Sequence, residues 1–230
     1  MKIVVIHGQT HHGSTYHIAR ELIEAVGDNE VKEFFLPRDL NHFCLGCCNC
    51  LKDETKCPFY QDKYLITSQI EKADLLIFTT PTYCLGPSAP LKSFIDLTFD
   101  YWMPHKPKQW MFNKKAVVIA TAAGVSTKST IKPIKQTLQY WGVPFIKTMG
   151  FTISAMNWDS VATSNKAKIN NKVKKVAHSI TSDKIHIPIK TKFLFNMMAI
   201  SQRKGMGSDP SEKTYWQENG WLAKERPWKQ

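Results

Sequence analysis

Four of the six cysteines of this 230-residue chain lie within 14 residues, at Cys44, Cys47, Cys50 and Cys57. Their spacing is C-x2-C-x2-C-x6-C. Thiolates two residues apart can converge on one soft metal centre from a single turn of loop. Joining all four in disulfides over so short a span would require a strained arrangement. Gly46 lets the loop turn sharply before Cys47. The spacing therefore favours metal ligation over disulfide bonds.

Three interpretations of this cysteine-rich loop, residues 43–58, stay open from the residues alone. The four thiols match a spacing that 4Fe–4S clusters use. Zinc fits less well, because structural zinc usually takes two separated C-x2-C pairs. Free cysteines also often serve only as small buried packing groups. Cys48 is interpreted as a bystander, and Cys84, far along the chain, either tunes a cofactor or packs.

The apolar pattern predicts strands that alternate with helices. Short β-branched or fully apolar runs predict buried strands, and apolar residues at helical spacing predict the helices between them. Ser88 is the predicted N-cap of one helix. The predicted strands span residues 2–7, 31–36, 75–81, 116–121 and 145–153. The predicted helices span residues 15–26, 64–73, 89–97, 130–141 and 162–182.

This alternation predicts an α/β fold with a doubly wound, five-stranded parallel sheet in flavodoxin-like order and helices on both faces. A ligand should bind where the carboxyl ends of the strands meet. The loops there are Gly8 to Ser14, Pro81 to Gly86 and Ala122 to Val125. We expect one domain over residues 1–189 and a C-terminal extension over residues 190–230.

The first loop, GQTHHGST, lies between a predicted strand and a predicted helix. Free backbone N–H groups and the positive end of a helix favour a phosphate there, and hydroxyls add donors. The loop has neither the dinucleotide nor the nucleoside-triphosphate glycine pattern, so a monophosphate fits better. His11 and His12 either pair with that phosphate or lie in solvent. His17 is expected on the surface.

The second loop, PTYCLGPSAPLKSFID, follows the most apolar strand. Pro81 makes its start rigid, and Tyr83 offers a ring for stacking. Backbone N–H groups from Cys84 to Gly86 can bond the polar edge of a heterocycle. The second loop therefore offers groups that suit a planar heterocycle.

Taken as a set, GQTHHGST, the cysteine run, AD-LLIFTTPTY and LKSFID resemble the NADPH-dependent FMN reductase group of flavodoxin-like proteins. The cysteine spacing is similar to that of iron–sulfur flavoproteins within this group, and the resemblance covers roughly residues 1–155. It implies an FMN phosphate at the first loop, an isoalloxazine bordered by the second and a third wall from the loop after residue 121. His11 stands where the family often has Arg. The FMN-binding residues so implied are Gln9, Thr10, His11, Gly13, Ser14, Thr15, Pro81, Thr82, Tyr83, Cys84, Leu85, Gly86, Ala122, Ala123 and Gly124.

The resemblance implies an oxidoreductase in which FMN takes a hydride from NAD(P)H. The electrons would pass to a quinone, a nitro or azo compound, free flavin or an iron–sulfur centre. No side chain is assigned as catalytic, because the flavin carries the chemistry, and Cys44, Cys47, Cys50 and Cys57 would hold the cluster. The alternative is an electron-transfer flavoprotein without NAD(P)H activity. A nucleic-acid-binding protein ranks last, because it leaves the sheet and the phosphate loop unexplained.

The formal net charge of +12 is concentrated near the C-terminus. Residues 163–230 hold 14 Lys and Arg against five Asp and Glu, a net charge of +9. No apolar run approaches the ~20 residues of a membrane span, and clustered thiols suggest a reducing, cytoplasmic location. We expect the Met-rich, aromatic extension to pack over its own domain or across a homodimer partner, shaping the substrate pocket. The alternative is a membrane-surface or disordered tail.

Two aromatic regions have further open interpretations. The segment FDYWMPHKPKQWMF, residues 99–112, is either a cover for the flavin, a dimer interface or core packing. The end of the chain, with YWQENGW, poses the same question.

Overall fold

A computed structural model describes residues 1–155 and 157–229. Five parallel strands form its sheet in the order β2-β1-β3-β5-β6, and a two-residue strand, β4, pairs antiparallel with β3. The flavodoxin-like order is thus confirmed. The strands are β1 (Lys2–His7), β2 (Glu30–Phe35), β3 (Leu75–Tyr83), β4 (Gly86–Pro87), β5 (Lys115–Ala122) and β6 (Phe145–Thr152).

Eight helices accompany the sheet in the described chain. Three short 3-10 turns add to them, at Glu54–Lys56, Phe99–Tyr101 and Gln109–Asn113. The helices are α1 (Ser14–Val26), α2 (Asn49–Lys52), α3 (Tyr60–Lys72), α4 (Ala89–Leu97), α5 (Lys128–Tyr140), α6 (Thr163–Ser182), α7 (Ile189–Arg203) and α8 (Pro210–Glu218).

The sheet is covered on both faces, which explains the nearly continuous apolar runs of its central strands, β1, β3 and β5. Alternate residues of each strand point to opposite faces. One face packs against α1 and α6, through residues such as Ile3, Leu22 and Val173. The other packs against α3, α4 and α5, through residues such as Val4 and Phe94. The register pairs Ile3 with Leu75 and Val4 with Leu76, so each core is continuous across the strands.

The most displaced predicted boundary belongs to α3, which begins at Tyr60, four residues before the predicted start. Leu65 on this helix is exposed, whereas Ile66 and Ile70 are fully buried. The true buried face is Lys63, Ile66, Thr67 and Ile70. A buried lysine and a buried threonine on that face obscured the helical period.

The C-terminal extension folds against its own chain. Helices α7 and α8 and the turns after them form a third core with the aromatic segment over residues 99–112. Phe195, Trp216 and Trp221 from the extension pack there with Met103 and Phe112. The interpretation of a disordered tail is therefore wrong, and core packing is the role of the segment's Met103 and Phe112.

Polar contacts fix the extension in place. The indole N–H of Trp216 donates to the carbonyl of His105 over 2.7 Å, and Gln202 Nε2 donates to the carbonyl of Pro104 over 2.7 Å. Glu212, which is fully buried, accepts from the His105 ring and from the backbone N–H of Ser208. The first two of these bonds satisfy backbone carbonyls of Pro104 and His105, which lie outside the helices and strands. The extension and this loop therefore stabilise each other.

Along the described chain, none of the helices combines the length and the apolar character that crossing a membrane requires.

Candidate functional site

The three loops predicted to bind a cofactor all lie at the carboxyl edge of the parallel sheet. The connection after β1 leads to β2 on one side, and the next strand in sequence, β3, pairs with β1 on the other side. This reversal creates a crevice between the ends of β1 and β3, which is where such sheets bind ligands. The loop after β5 extends the same edge.

Gly8 lets the first two loops approach closely. A Cβ at Gly8 would lie 2.5 Å from Ser88 Oγ and 2.9 Å from the carbonyl oxygen of Thr79. The Ser88 hydroxyl donates to the Gly8 carbonyl over 2.6 Å. Ser88 does occupy the predicted N-cap position of α4, but its side chain makes no capping bond there. It joins the two loops instead, a role that sequence reasoning missed.

The first loop presents the N-terminus of α1 without an acidic residue in the first turn and without a side-chain cap. Gln9 Nε2 donates to Thr15 Oγ1 over 3.0 Å, and Thr15 is buried. Ser14 is only half-buried and Thr10 is exposed, so these hydroxyls are the accessible ones. Gln9 Oε1 is buried without a hydrogen-bond partner among the described residues, which leaves an acceptor for a ligand hydroxyl.

A pair formed by the buried His7 and the partly exposed Glu33 underlies this loop. His7 Nε2 lies 2.8 Å from Glu33 Oε2, and its ring stacks on Phe35 with centroids 4.3 Å apart. The hydrogen bond from His7 holds the pKa of Glu33 below its ordinary value, with further help from the guanidinium of Arg20. The pair of His7 and Glu33 therefore gives the end of β1 a fixed polar support.

His17, expected on the surface, is half-buried, and its ring stacks on Trp158.

The second loop is a two-residue hairpin between β3 and β4. Tyr83 pairs with Gly86, and the two central residues, Cys84 and Leu85, have φ values of 49° and 63°. Glycine or asparagine normally occupies such positions, so two ordinary side chains carry backbone strain there. All three side chains from Tyr83 to Leu85 are exposed. The packing role for Cys84 is therefore wrong, because its thiol points away from the core.

The third loop completes the edge with small residues. Ala122 is buried and its carbonyl accepts from the N–H of Ile153 over 2.7 Å, whereas Ala123 and Gly124 are exposed. A Cβ at Gly124 would have no neighbour within 4 Å. Thr130 on α5 donates to Thr82 over 2.8 Å, which ties the helix after this loop to β3. Because the side chains of Ala122, Ala123 and Gly124 are small, this edge of the site leaves space for a planar ligand.

The cysteine-rich loop borders a separate cavity of about 390 Å³ beside α4. All six cysteines are free, and Cys44, Cys47 and Cys48 are exposed. Exposure contradicts simple packing for these three thiols. Cys48, interpreted as a bystander, lines the cavity with the others. The lining comprises Cys44, Leu45, Gly46, Cys47, Cys48, Cys50, Cys57, Pro58, Phe59, Ile95, Asp96, Leu97, Phe99 and Trp102.

The four predicted ligands fit an iron–sulfur cluster by donor type and by their shared cavity. They do not converge: within residues 1–155 and 157–229, no three His, Cys, Asp or Glu side chains form a group that could hold a metal ion. Burial, with the nearby charge of Asp100, raises the pKa of Cys50 to about 12, so this thiol keeps its proton at neutral pH.

A family model decides the relationship of the chain to known proteins. The model for NADPH-dependent FMN reductase matches residues 1–157, which include all three loops and the cysteine-rich loop. The chain belongs to this family. The resemblance of the motifs to this family is thereby confirmed.

Two relatives carry the cofactor combination in their names. An iron–sulfur flavoprotein of Methanocaldococcus jannaschii is 34% identical over 42% of this chain and 51% of its own length. An iron–sulfur flavoprotein of Archaeoglobus fulgidus is 28% identical over 54% of this chain and 55% of its own. The chain thus spans about half the length of these relatives. Among solved structures, an FMN-dependent NADH-azoreductase of Bacillus anthracis superposes with a TM-score of 0.61 over 79% of this chain and 100% of that one, at 12% identity.

A buried ion pair lies behind the cysteine cavity of this family member. Lys63 Nζ lies 3.2 Å from Asp100 Oδ1, both side chains are 1% exposed, and Lys63 also donates to the carbonyl of Leu97. Burial opposes the charged form of Lys63, but Asp100 outweighs it and holds the pKa of Lys63 above its ordinary value. Burial raises the pKa of Asp100 against the opposing charges of Lys63 and Lys108. Sequence reasoning missed this pair, because each residue alone resembles a surface charge.

Replacing Lys63 by Met is expected to lower the free energy of unfolding by about 2–3 kcal/mol, because Asp100 is left buried and unpaired. Since burial raises the pKa of Asp100, the folded state binds its proton more tightly than the unfolded state does. The deficit should therefore shrink as the pH falls from neutral toward the ordinary Asp value of 3.8. Urea unfolding at several pH values measures both effects.

The matched control for Lys63→Met is Lys92→Met, which breaks the exposed Lys92–Asp96 pair on α4. Exposed pairs contribute little, so a change within about 0.5 kcal/mol is expected. Compared with Asp100→Asn alone, the double variant Lys63→Met/Asp100→Asn should show no such pH dependence, because the titrating carboxylate is absent from both. A pH-independent deficit in Lys63→Met would contradict the assignment of the buried charge.

Proposed function

We propose that the chain is an FMN-dependent oxidoreductase that takes a hydride from NAD(P)H and passes electrons to a second substrate. The observation that carries this proposal is the crevice between the ends of β1 and β3, where three loops present a helix N-terminus, exposed backbone and an open wall. The acceptor classes we propose are quinones and nitro or azo compounds, with free flavin or an iron–sulfur centre as further acceptors. Membership of the FMN reductase family supports the same reaction type.

The first loop would hold the phosphate of FMN. Ser14 and Thr10 offer accessible hydroxyls, and the first turn of α1 offers backbone N–H groups and a positive dipole end. The unpartnered Gln9 Oε1 would accept from a ribityl hydroxyl. Thr15 would act indirectly, because its buried hydroxyl already holds the Gln9 side chain. Gly13 and His11 would complete the loop around the phosphate.

The second and third loops would border the ring. When bound, FMN supplies the hydride and electron chemistry. Backbone N–H groups of the strained hairpin, from Cys84 to Gly86, would bond the polar edge of the ring, and Tyr83 would contribute an exposed aromatic surface. Ala122, Ala123 and Gly124 would leave room for a second planar molecule over the ring, since no side chain larger than a methyl projects there. Pro81 and Thr82 would fix the start of the hairpin.

We further propose that Cys44, Cys47, Cys50 and Cys57 hold a 4Fe–4S cluster. Three observations support it: the thiols share one cavity, two of them (Cys44 and Cys47) are exposed without a packing role, and two relatives are iron–sulfur flavoproteins by name. The cavity lies beside the C-terminal end of α4, and the hairpin precedes the N-terminus of the same helix, so α4 connects the two proposed sites. Free thiols throughout suit a reducing compartment such as the cytoplasm.

The test of the FMN site is Ser14→Ala. Loss of one phosphate-facing hydrogen bond should weaken FMN binding by roughly 5- to 30-fold and leave riboflavin binding nearly unchanged, because riboflavin lacks the phosphate. Fluorescence titration of apoprotein with each flavin measures this difference. Equal losses for the two flavins would contradict the phosphate assignment.

Two comparisons complete the test of function. Ser68→Ala, on α3 away from the loops, is the matched control and should not change either affinity. Rapid mixing of the FMN-loaded protein with NADH and with NADPH then distinguishes an oxidoreductase from the alternative, an electron-transfer flavoprotein. We expect the absorbance of the oxidised flavin to disappear rapidly with at least one of the two nucleotides. An absorbance that neither nucleotide changes would favour the alternative.

A homodimer also remains a proposal. Because the extension packs on its own domain, the surface we propose for pairing is the carboxyl edge, where Leu85 and Val125 are exposed. Pairing there would cover apolar side chains next to the flavin crevice and shape the substrate pocket.

A further inference from the structure

One face of α7 is apolar and exposed although the opposite face is docked. Ile189, Phe193, Met197 and Ile200 are all exposed, with Phe193 at 68%. At about 100° per residue these four positions fall within about 80° of the helix circumference, so they form one continuous stripe. Soluble proteins rarely leave such an apolar surface uncovered, so the stripe marks a contact with something else.

The helix is already formed before that contact. Phe195 and Ala199, on the inner face, are buried in the third core, and Arg203 Nε donates to the carbonyl of Leu222 over 2.7 Å. The stripe is therefore presented on a rigid support. No folding of a disordered segment has to accompany its contact.

Basic residues flank the stripe on both sides. By the same helical geometry, Lys190 lies on one side and Lys192 and Arg203 on the other. All three are exposed. Between Asp183 and Asp209 the sequence has five Lys and Arg and no acidic residue. The stripe is thus bordered by positive charge alone.

An apolar groove continues the stripe toward the sheet. A cavity of about 480 Å³ lies between the first turns of α7 and the end of α5, and Phe193 and Leu194 form one of its walls. Val143 and Ile146 form the other, and Lys135 and Lys190 also line it. The groove therefore combines apolar walls with nearby lysines, as the stripe does.

We propose that this face of α7 binds the surface of an anionic lipid membrane. An apolar stripe with Lys and Arg at its borders lets the helix lie in the interface while the charged ends reach the headgroups. Each basic residue near an anionic surface adds attraction. The contact is peripheral and reversible.

Charge favours lipid over a second copy of the chain as the occupant. A symmetric dimer through this face would bring the same patch onto itself. Lys190, Lys192 and Arg203 of each chain would then oppose their own counterparts, on molecules that each carry +12. An anionic lipid surface neutralises these charges instead.

Sedimentation of the full-length, FMN-loaded protein with vesicles tests the proposal. Vesicles of phosphatidylcholine are compared with vesicles of equal parts phosphatidylcholine and phosphatidylglycerol. We expect partition onto the anionic vesicles alone, weakened by salt. Phe193→Ser/Met197→Ser should lower the partition coefficient by about tenfold or more, and Lys190→Gln/Lys192→Gln by roughly 10- to 30-fold.

Matched controls come from another surface. Leu65→Ser removes an apolar side chain that is 63% exposed on α3, and Lys32→Gln/Lys72→Gln removes two exposed charges elsewhere. Neither should change partition by more than about twofold. Partition that is absent from anionic vesicles, equal on neutral vesicles or unchanged in the stripe variant overturns the proposal. A lipid-free dimer that the stripe variant converts to a monomer, seen by light scattering, assigns this face to a second copy and overturns it too.

Discussion

Replacing any one of Cys44, Cys47, Cys50 or Cys57 by Ser is expected to reduce the iron content of the anaerobically purified protein from about four atoms per chain to background. The four thiols line one cavity, and a cubane cluster needs a ligand for each iron. The broad absorbance that the cluster adds to the flavin bands should disappear in parallel. Iron and sulfide assays with a visible spectrum measure the effect, with FMN content determined on the same samples.

Two neighbouring thiols provide the controls. Cys48→Ser changes a residue that lines the same cavity but lies outside the spacing pattern, and Cys84→Ser changes an exposed thiol of the hairpin. Both variants should keep full iron content. An equal loss of iron in Cys48→Ser would mean that Cys48 is also a ligand. Wild-type protein that contains no iron even after reconstitution would contradict the proposal of a cluster. Because FMN content is measured separately, failure of the cluster leaves the flavin site intact as a proposal.

The sheet order and the loops at its edge were predictable because local pattern determines them. Buried parallel strands such as β3 are apolar throughout, and their alternation with helices leaves few topologies. The three loops followed directly, since the carboxyl ends of parallel strands meet at one edge. Family membership confirms the resemblance that the loop motifs and the cysteine spacing indicated.

Contacts between distant parts of the chain were not predictable from pattern. The bond from Ser88 to the Gly8 carbonyl joins residues 80 positions apart, and in the sequence Ser88 is only a good N-cap. Lys63 and Asp100 form a pair across 37 positions, and each alone resembles a surface charge. Their partners become visible only when the helices pack. The strained φ values of Cys84 and Leu85 were likewise hidden, because neither residue type favours such a turn.

The packing of the extension was ambiguous for a further reason. Helix α7 has apolar residues on both faces, so the sequence pattern cannot show which face is docked. The core residue Phe195 and the exposed residue Phe193 are two positions apart and have the same side chain. The two differ only in that Phe195 faces the aromatic segment over residues 99–112 and packs against it, whereas Phe193 does not. The hydroxyl of Ser211, which donates to the carbonyl of Leu51 over 2.7 Å, extends this support to the cysteine-rich loop.

Phe195→Ala is expected to lower the free energy of unfolding by about 3–5 kcal/mol, because it leaves a cavity among Phe112, Trp216 and Trp221. Phe193→Ala, on the same helix, should change it by less than about 0.5 kcal/mol, since that ring is 68% exposed. Urea unfolding followed by circular dichroism, at equal FMN saturation, measures both. Similar losses in the two variants would mean that the docked face of α7 is assigned wrongly. If the difference holds, Phe193 is free to act in contact with a membrane, and the stability of the extension rests on Phe195.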